Sequence, residues 1–397
     1  MMRCAVIALC VVAGGAVPAR AQGGSGGAPE WPAVTEQTRP WTRWWWMGSA
    51  VDTADLTRSL EAYRAAGLGG VEITPIYGVV GQEKNFIEYL SPSWVRMLEY
   101  TLRQGKRLGM GVDMNNGTGW PFGGPQVGPA DEAKYVAYRT YTLDGGERLR
   151  DTIADRQAPI LSVVGFHAHQ PGDTASEPRV RIEDLARPIS RNPDLQKLAI
   201  NQVRFPDAMP LRALMAYSDS GRVIELTDRV GPDGRLDWTA PPGHWTLYAV
   251  FQGWHGKMVE RAAPGGEGFA LDHFSGEALQ HYLRRFDQAF AGADLSGLRA
   301  FFNDSYEVDD ARGQADWTPA FFAEFRARRG YDLRDHLPAL FGKDTPERNA
   351  RVRSDYRETI SDLILDRFTT GWRHWARTKN AIIRDQAHGS PGNILDL

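Results

Sequence analysis

Gly70-Val71-Glu72-Ile73 and Gly111-Val112-Asp113-Met114 decide the fold. They share one pattern: glycine, valine, an acid, then a large apolar residue. Each follows a helical stretch that ends in Leu-Gly. Before the first, Asp52 is an N-cap with Asp55 in the first turn, and Leu56, Leu60 and Tyr63 recur at helical spacing up to Gly67. Before the second, Ser91 caps and Pro92 takes the first helical position; Trp94, Leu98 and Leu102 share a face, and Gly109 ends the helix. Upstream, Trp44-Trp45-Trp46-Met47 is an apolar run closed by Gly48, a candidate buried strand. This β-α-β-α-β alternation requires parallel strands with right-handed crossovers. In such folds the site lies at the carboxyl ends of the strands. Trp45, Glu72 to Pro75 and Asp113 to Gly119 then share one mouth.

The pattern changes near Tyr135. Tyr135 to Leu143, Ile160 to Phe166, Leu211 to Tyr217, Val223 to Leu226 and Trp245 to Gln252 are short β-type runs separated by turn signals such as Pro232-Asp233-Gly234. They predict an antiparallel β-sandwich inserted over 135–260. The α/β pattern occupies 39–134 and resumes over 261–397. Ser275 caps a helix, 299–303 is a strand, Thr318-Pro319 opens another helix, and a long amphipathic helix runs from about Pro346 to Thr378. Six strands are expected in the parallel sheet: 44–47, 70–74, 110–114, one near Phe269 to Asp272, 299–303 and 381–385. A closed (β/α)₈ barrel needs eight. The expectation is an α/β fold of (β/α)₈ type, incomplete in this chain, which then represents the amino-terminal portion of a longer protein.

Composition excludes several functions. With 46 Lys+Arg against 49 Asp+Glu the net charge is -3, so no basic footprint for nucleic acid exists. Both cysteines, Cys4 and Cys10, lie in the first ten residues, which removes disulfide scaffolds, cysteine-ligated zinc and a cysteine nucleophile. Arg3, the apolar run Ala5 to Val12 and Ala19-Arg20-Ala21 form a secretory signal over 1–21, with cleavage expected before Gln22. A Gly/Ser-rich lead-in follows over 22–38. No later stretch has the apolar length of a membrane helix. The mature chain is therefore expected in the periplasm or outside the cell.

Four constellations carry chemistry. Asn303-Asp304-Ser305-Tyr306-Glu307 follows an apolar strand, so two carboxylates stand at a strand's carboxyl end among aromatic residues. Such surroundings raise a carboxyl pKa toward the range of a general acid. Glycoside cleavage needs that acid and a second carboxylate. A loop acid that caps a helix or pairs with Arg312 is the ordinary alternative. Glu72 and Asp113, with Asn115 and Asn116, need buried partners, either substrate hydroxyls or a structural network. Glu267 with Asp272-His273 borders a Gly-rich loop that lacks the Lys-Ser/Thr of a phosphate site. Arg384-Asp385-Gln386-Ala387-His388-Gly389 follows the last strand. His167 and His169 suit zinc poorly, having no third ligand nearby. In Arg43-Trp44-Trp45-Trp46, strand alternation points Trp45 opposite to its neighbours.

Read together, these segments resemble glycoside hydrolase family 106, which contains α-L-rhamnosidases. The resemblance rests on Arg43 to Gly48, Gly69 to Gly78, Phe251 to Gly256 with Arg261 to Gly268, and Leu271 to Ser275. Asp304 to Glu307, Arg328 to Asp332 and Gln386 to Asn393 complete it. It implies a (β/α)₈ catalytic domain interrupted by a β-sandwich, in chains much longer than this one. It also implies removal of terminal L-rhamnose from a rhamnose-containing carbohydrate with inversion, Glu307 as general acid, and calcium at the site. The expected substrate-binding set is Trp45, Glu72, Asp113, Asn115, Asn116, His255, Asp272, His273, Asp304, Asp385 and His388. The base is unassigned and expected beyond Leu397. A non-catalytic carbohydrate-binding chain and a retaining glycosidase are the alternatives.

Overall fold

The structure is a computed structural model that describes residues 31–157, 208–308 and 315–389. Residues 31–35 belong to a leading unit, Met1–Thr35, and are exposed without helix or strand. The helices and strands belong to the compact unit Glu36–Leu397.

The first half alternates as its sequence requires: β1 (Trp41–Met47), α1 (Thr53–Ala65), β2 (Gly70–Ile76), α2 (Pro92–Leu108) and β3 (Gly111–Asn115). Asp52 caps α1 by accepting from the Asp55 amide at 2.8 Å. Ser91 caps α2 through the Trp94 amide, and Gly109 ends it at φ +61. The inserted region carries β4 (Lys134–Asp144), β5 (Arg148–Thr152), β6 (Leu211–Ser218), β7 (Val223–Glu225), β8 (Arg235–Thr239) and β9 (His244–Trp254). The alternation then returns with α3 (Gly276–Ala289), β10 (Leu298–Asn303), α4 (Phe321–Arg329), α5 (Pro346–Leu363), α6 (Thr370–Thr378) and β11 (Ile382–Asp385).

Five strands form one parallel sheet in the order β1-β2-β3-β10-β11. Its register sets Arg43 beside Glu72 and Glu72 beside Asp113. Alternation sends Val71, Ile73, Val112, Met114 and Phe301 into the helix-covered core, where each is fully buried. Burial on that scale stabilises by roughly 1.5–3 kcal/mol per side chain. The glycine that starts each motif has a steric cause. A Cβ on Gly70 would lie 2.5 Å from the Trp41 ring, and one on Gly111 would lie 2.3 Å from it.

In the insert, β7-β6-β9-β4 form an antiparallel sheet, and β5 pairs with β8 in a separate ribbon. Leu214, Ala216, Trp245 and Leu247 pack against Leu236 and Trp238 of the ribbon. The alternate residues Ala213, Met215, Tyr248 and Val250 join the main core. One sheet is thus covered on both faces. Among the described residues, no helix is long and apolar enough to cross a membrane.

Three expectations change. Phe269–Ala270 is not a member of the parallel sheet. It pairs antiparallel with Gly123–Gly124, whose lack of side chains admits the close approach, so the parallel sheet has five described strands. Thr318 does not cap α4, which begins at Phe321 without a side-chain cap; its hydroxyl instead donates to Asp272. The helix over 346–378 runs through, but Ile364–Thr369 is π-helical and seats Phe368 against Phe122 and His273. The signal segment, Ile160 to Phe166, His167, His169 and Arg312 lie outside the described residues.

Candidate active site

Parallel strands deliver their following loops to one end of the sheet. After β1, the Gly48 amide donates to the carbonyls of Ile76 and Tyr77 at 2.8 Å. After β2, the Tyr77 amide donates to the Arg261 carbonyl at 2.8 Å. After β3, Asn115 Nδ2 donates to the Gly119 carbonyl at 2.8 Å and shapes the turn that presents Trp120. The loops after β10 and β11 bring Asp304 to Glu307 against Gln386 to Gly389.

Glu307 lies at the junction of three of these loops. Its Oε2 accepts from Trp120 Nε1 at 2.7 Å, and its Oε1 lies 3.7 Å from His388 Nε2. Its side chain is 29% exposed, so the carboxyl reaches solvent. The backbone around it is braced. The Tyr306 amide donates to the His388 carbonyl at 3.0 Å. Gly389 sits at φ +68, and a Cβ there would lie 2.7 Å from the Glu307 nitrogen. Tyr306 is buried, and its hydroxyl donates to Asp385 Oδ2 at 2.7 Å. Asn303 Nδ2 donates to the other Asp385 oxygen at 2.9 Å. Gln386, with its amide nitrogen turned toward Asp304, donates to Asp304 Oδ1 at 3.1 Å and to its carbonyl at 2.7 Å.

Asp304 is buried and gripped by Arg43, with Nη1 to Oδ2 at 3.0 Å and Nη2 to Oδ1 at 2.8 Å. Burial raises its pKa, and the Arg43 charge opposes that rise. From Arg43 an ionic chain crosses the sheet. Arg43 Nε binds Glu72 at 3.0 Å, Arg384 Nη1 bridges Glu72 (2.9 Å) and Asp113 (2.8 Å), and Arg299 Nε binds Asp113 at 2.9 Å. Burial likewise raises Glu72 against the opposing pull of Arg43 and Arg384. The partners of Glu72 and Asp113 are therefore arginines, Arg43 and Arg299 from adjacent strands and Arg384 reaching across from β11. Trp45 is 40% exposed under the Arg43 guanidinium, 5.1 Å away, while Trp44 and Trp46 are buried.

The remaining candidates lie deeper. Asp272 is buried beside Lys134 Nζ at 3.6 Å and accepts from the Thr318 hydroxyl (2.8 Å) and the Phe274 amide (2.9 Å). His273 is buried between Tyr306 and Phe368, and burial lowers its pKa to about 3, so it is neutral. His255 is buried, and its backbone amide donates to Ala133. Asn116 is spent on structure: Oδ1 accepts from Trp372 Nε1 and its carbonyl from the Tyr282 hydroxyl. Glu267 accepts from the Gly265 amide. Glu307, His388, Asp304 and Asp385 thus converge; Trp45, Glu72 and Asp113 line the adjoining sheet face; Asp272, His273, His255, Asn115 and Asn116 support from behind.

Sequence reading missed Trp120 and the buried pair Glu132 and Lys134. Trp120 stands one residue past the Asp113–Gly119 mouth loop, which was its signal. Glu132-Ala133-Lys134 alternates toward one side of a chain entering β4, but no local cue tells that both side chains are buried.

A partly exposed carboxyl at the strand ends, held by an indole and with a second carboxyl beside it, suits the paired acids of glycoside hydrolases. The sequence profile of glycoside hydrolase family 106, described as alpha-L-rhamnosidase, matches residues 32–177 and 200–391, and the chain belongs to this family. A Formosa agariphila protein provisionally named a beta-glucuronidase is 28% identical over 358 residues, covering 86% of this chain and 28% of that protein. The structure of the rhamnosidase from Novosphingobium sp. PP1Y superposes with a TM-score of 0.64 at 20% identity, over 91% of this chain and 47% of that one. The mixed α/β fold is that of the rhamnosidase. The chain spans less than half the length of either relative.

Proposed function

We propose that this chain carries the general-acid half of a secreted α-L-rhamnosidase that inverts the anomeric centre. The observation that carries the reading is the setting of Glu307. One oxygen is fixed by Trp120, the other faces His388, and the carboxyl is open to the mouth. Protonating the glycosidic oxygen is the role such a group serves. Asp304 and Asp385 are the second carboxyls at this mouth, and both are already held, by Arg43 and by Asn303 with Tyr306. The base therefore belongs to a segment outside this set. An inverting pair stands about 6.5–9.5 Å apart, so that partner must approach from the open side of the mouth. The five-stranded sheet is proposed as part of a (β/α)₈ barrel, with the insert as its β-sandwich; the shares of the relatives covered support this.

Calcium takes six to eight oxygen ligands. Among the described residues no three His, Cys, Asp or Glu side chains are placed to hold one metal ion together, and Glu72, Asp113 and Asp304 are engaged by arginines. These residues do not fit a calcium cage, and no step is drawn through the ion.

The test is Glu307→Gln on two rhamnosides. Loss of the acid should slow a poor alkyl leaving group by about 10²–10⁴-fold and a nitrophenyl leaving group far less. Equal, small losses on both would remove the assignment. NMR of the first-formed sugar separates inversion from the retaining alternative. Sugar binding with no turnover in the intact protein would leave a carbohydrate-binding role.

A further inference from the structure

Three arginines of the ionic chain are matched to acids: Arg43 to Glu72 and Asp304, Arg384 to Glu72 and Asp113, Arg299 to Asp113. Arg261 is different. It is exposed, and no carboxylate among the described residues pairs with it. The nearest acid in sequence, Glu260, is engaged by Lys257 Nζ.

Its position is nonetheless fixed. The Arg261 guanidinium lies over the Trp120 ring at 5.4 Å and the Tyr77 ring at 5.8 Å. Its carbonyl accepts from the Tyr77 amide at 2.8 Å, and the preceding residue pairs its backbone with Trp120. Its φ is +56, a conformation that costs a residue with a Cβ about 1–2 kcal/mol. Glycines follow at 265 and 266, yet the strained position holds an arginine. Strain of this kind clusters at functional sites, and here it accompanies a guanidinium held over two rings.

One indole separates this guanidinium from the carboxyl of Glu307, because Trp120 Nε1 binds Oε2. A general acid protonates the oxygen of the departing sugar, so groups on its flank face that sugar. A guanidinium binds a carboxylate through two parallel hydrogen bonds. Tyr77, 38% exposed, offers a ring face beside it. We propose that Arg261 recognises the carboxylate of a uronic acid, and that the sugar released from rhamnose is a uronate. This rests on Glu307 being the general acid.

The experiment measures binding first, by calorimetry at low salt. The probes are the methyl glycosides of glucuronic and galacturonic acid, each against its neutral counterpart. Arg261→Gly removes the side chain and relieves the backbone; Arg261→Lys keeps the charge without the fork. At least one uronate should bind ~10-fold or more tighter than its neutral partner, the difference expected of a charge-assisted bidentate pair. Arg261→Gly should abolish that preference, Arg261→Lys should lose most of it, and neutral sugars should bind as before. A wild-type protein that prefers neither uronate, or a preference that survives Arg261→Gly, overturns the assignment. Turnover of a nitrophenyl α-L-rhamnoside by the same preparations is scored separately. Its absence removes the rhamnosidase reading and leaves the binding result standing; normal turnover without uronate preference removes only Arg261.

Discussion

Trp120 Nε1 donates a 2.7 Å hydrogen bond to Oε2 of Glu307 and so ties the loop after β3 to the loop after β10. Nothing near either residue in sequence announces the contact, since 187 positions separate them. It fixes the rotamer of a side chain that is otherwise part open to water.

Trp120→Phe should therefore cost orientation rather than folding. The ring face remains for Arg261, while the donor is gone. A misplacement of about 1 Å can cost ~10²-fold in rate. We expect kcat to fall about 10–100-fold, KM to change little, and the melting temperature to hold. A large loss of melting temperature with proportionate loss of activity would mean that the indole only fills space.

Gly389 is the second brace. A Cβ there would stand 2.7 Å from the Glu307 nitrogen and 2.8 Å from its Cα, at a φ of +68. Gly389→Ala must displace backbone, not a flexible side-chain end. The conformational term alone is about 1–2 kcal/mol, and the clash adds to it. Hydrogen exchange at the Tyr306 amide, which donates to the His388 carbonyl, should accelerate locally while the core amides keep their protection. Unchanged exchange at Tyr306 would contradict the bracing.

How far the sequence reached depends on the range of the interaction. The repeated glycine-valine-acid-apolar pattern places two strands because alternation and caps are local, and Asp52, Ser91 and Ser275 each cap a helix as expected. Trp45 turned outward for the same reason. Phe269–Ala270 looked like a sixth parallel strand, yet its partner is Gly123–Gly124, and only register reveals that. Glu72 and Asp113, as acids within apolar strands, need partners and have them. That Arg43 and Arg299 are partners follows from strand order, and that Arg384 is one follows from its reach across the sheet from β11; the sequence gives no local clue to either.

The ionic chain makes a comparison of two arginines informative. Arg384→Ala leaves Glu72 with Arg43 and Asp113 with Arg299. Arg43→Ala strips Asp304 of its bidentate partner and Glu72 of one of two. Uncompensated buried charge costs several kcal/mol, reduced here because Arg43 is 30% exposed. Arg43→Ala should destabilise by about 2 kcal/mol and Arg384→Ala by under ~1 kcal/mol in denaturant unfolding. The reverse order would show that Asp113, not Asp304, depends most on the chain.

Two buried groups act on stability from opposite sides of neutral pH. Glu132 is 1% exposed, and neither carboxyl oxygen has a hydrogen-bond partner among the described residues. Burial raises its pKa from 4.5 to about 8, opposed by Lys134. The folded state then holds a proton that the unfolded state releases, so stability is fully present below about 4.5 and falls as pH rises toward 8. His273 has the opposite sign. Burial lowers its pKa from 6.5 to about 3, so its stability is present above 6.5 and falls as pH drops toward 3. Glu132→Gln should flatten the limb between about 6.5 and 8, leave the slope below about 4.5 unchanged, and uncover the His273 slope in between. His273→Gln should flatten the slope below about 4.5 and leave the limb between about 6.5 and 8 unchanged. Between about 4.5 and 6.5 the two slopes oppose, so the double variant should keep a curve there close to that of the parent. Denaturant unfolding from pH 4 to pH 9 reads all three. A Glu132→Gln protein that loses stability toward pH 8 as steeply as its parent would show that the carboxyl is ionised, held by a partner that burial alone does not reveal.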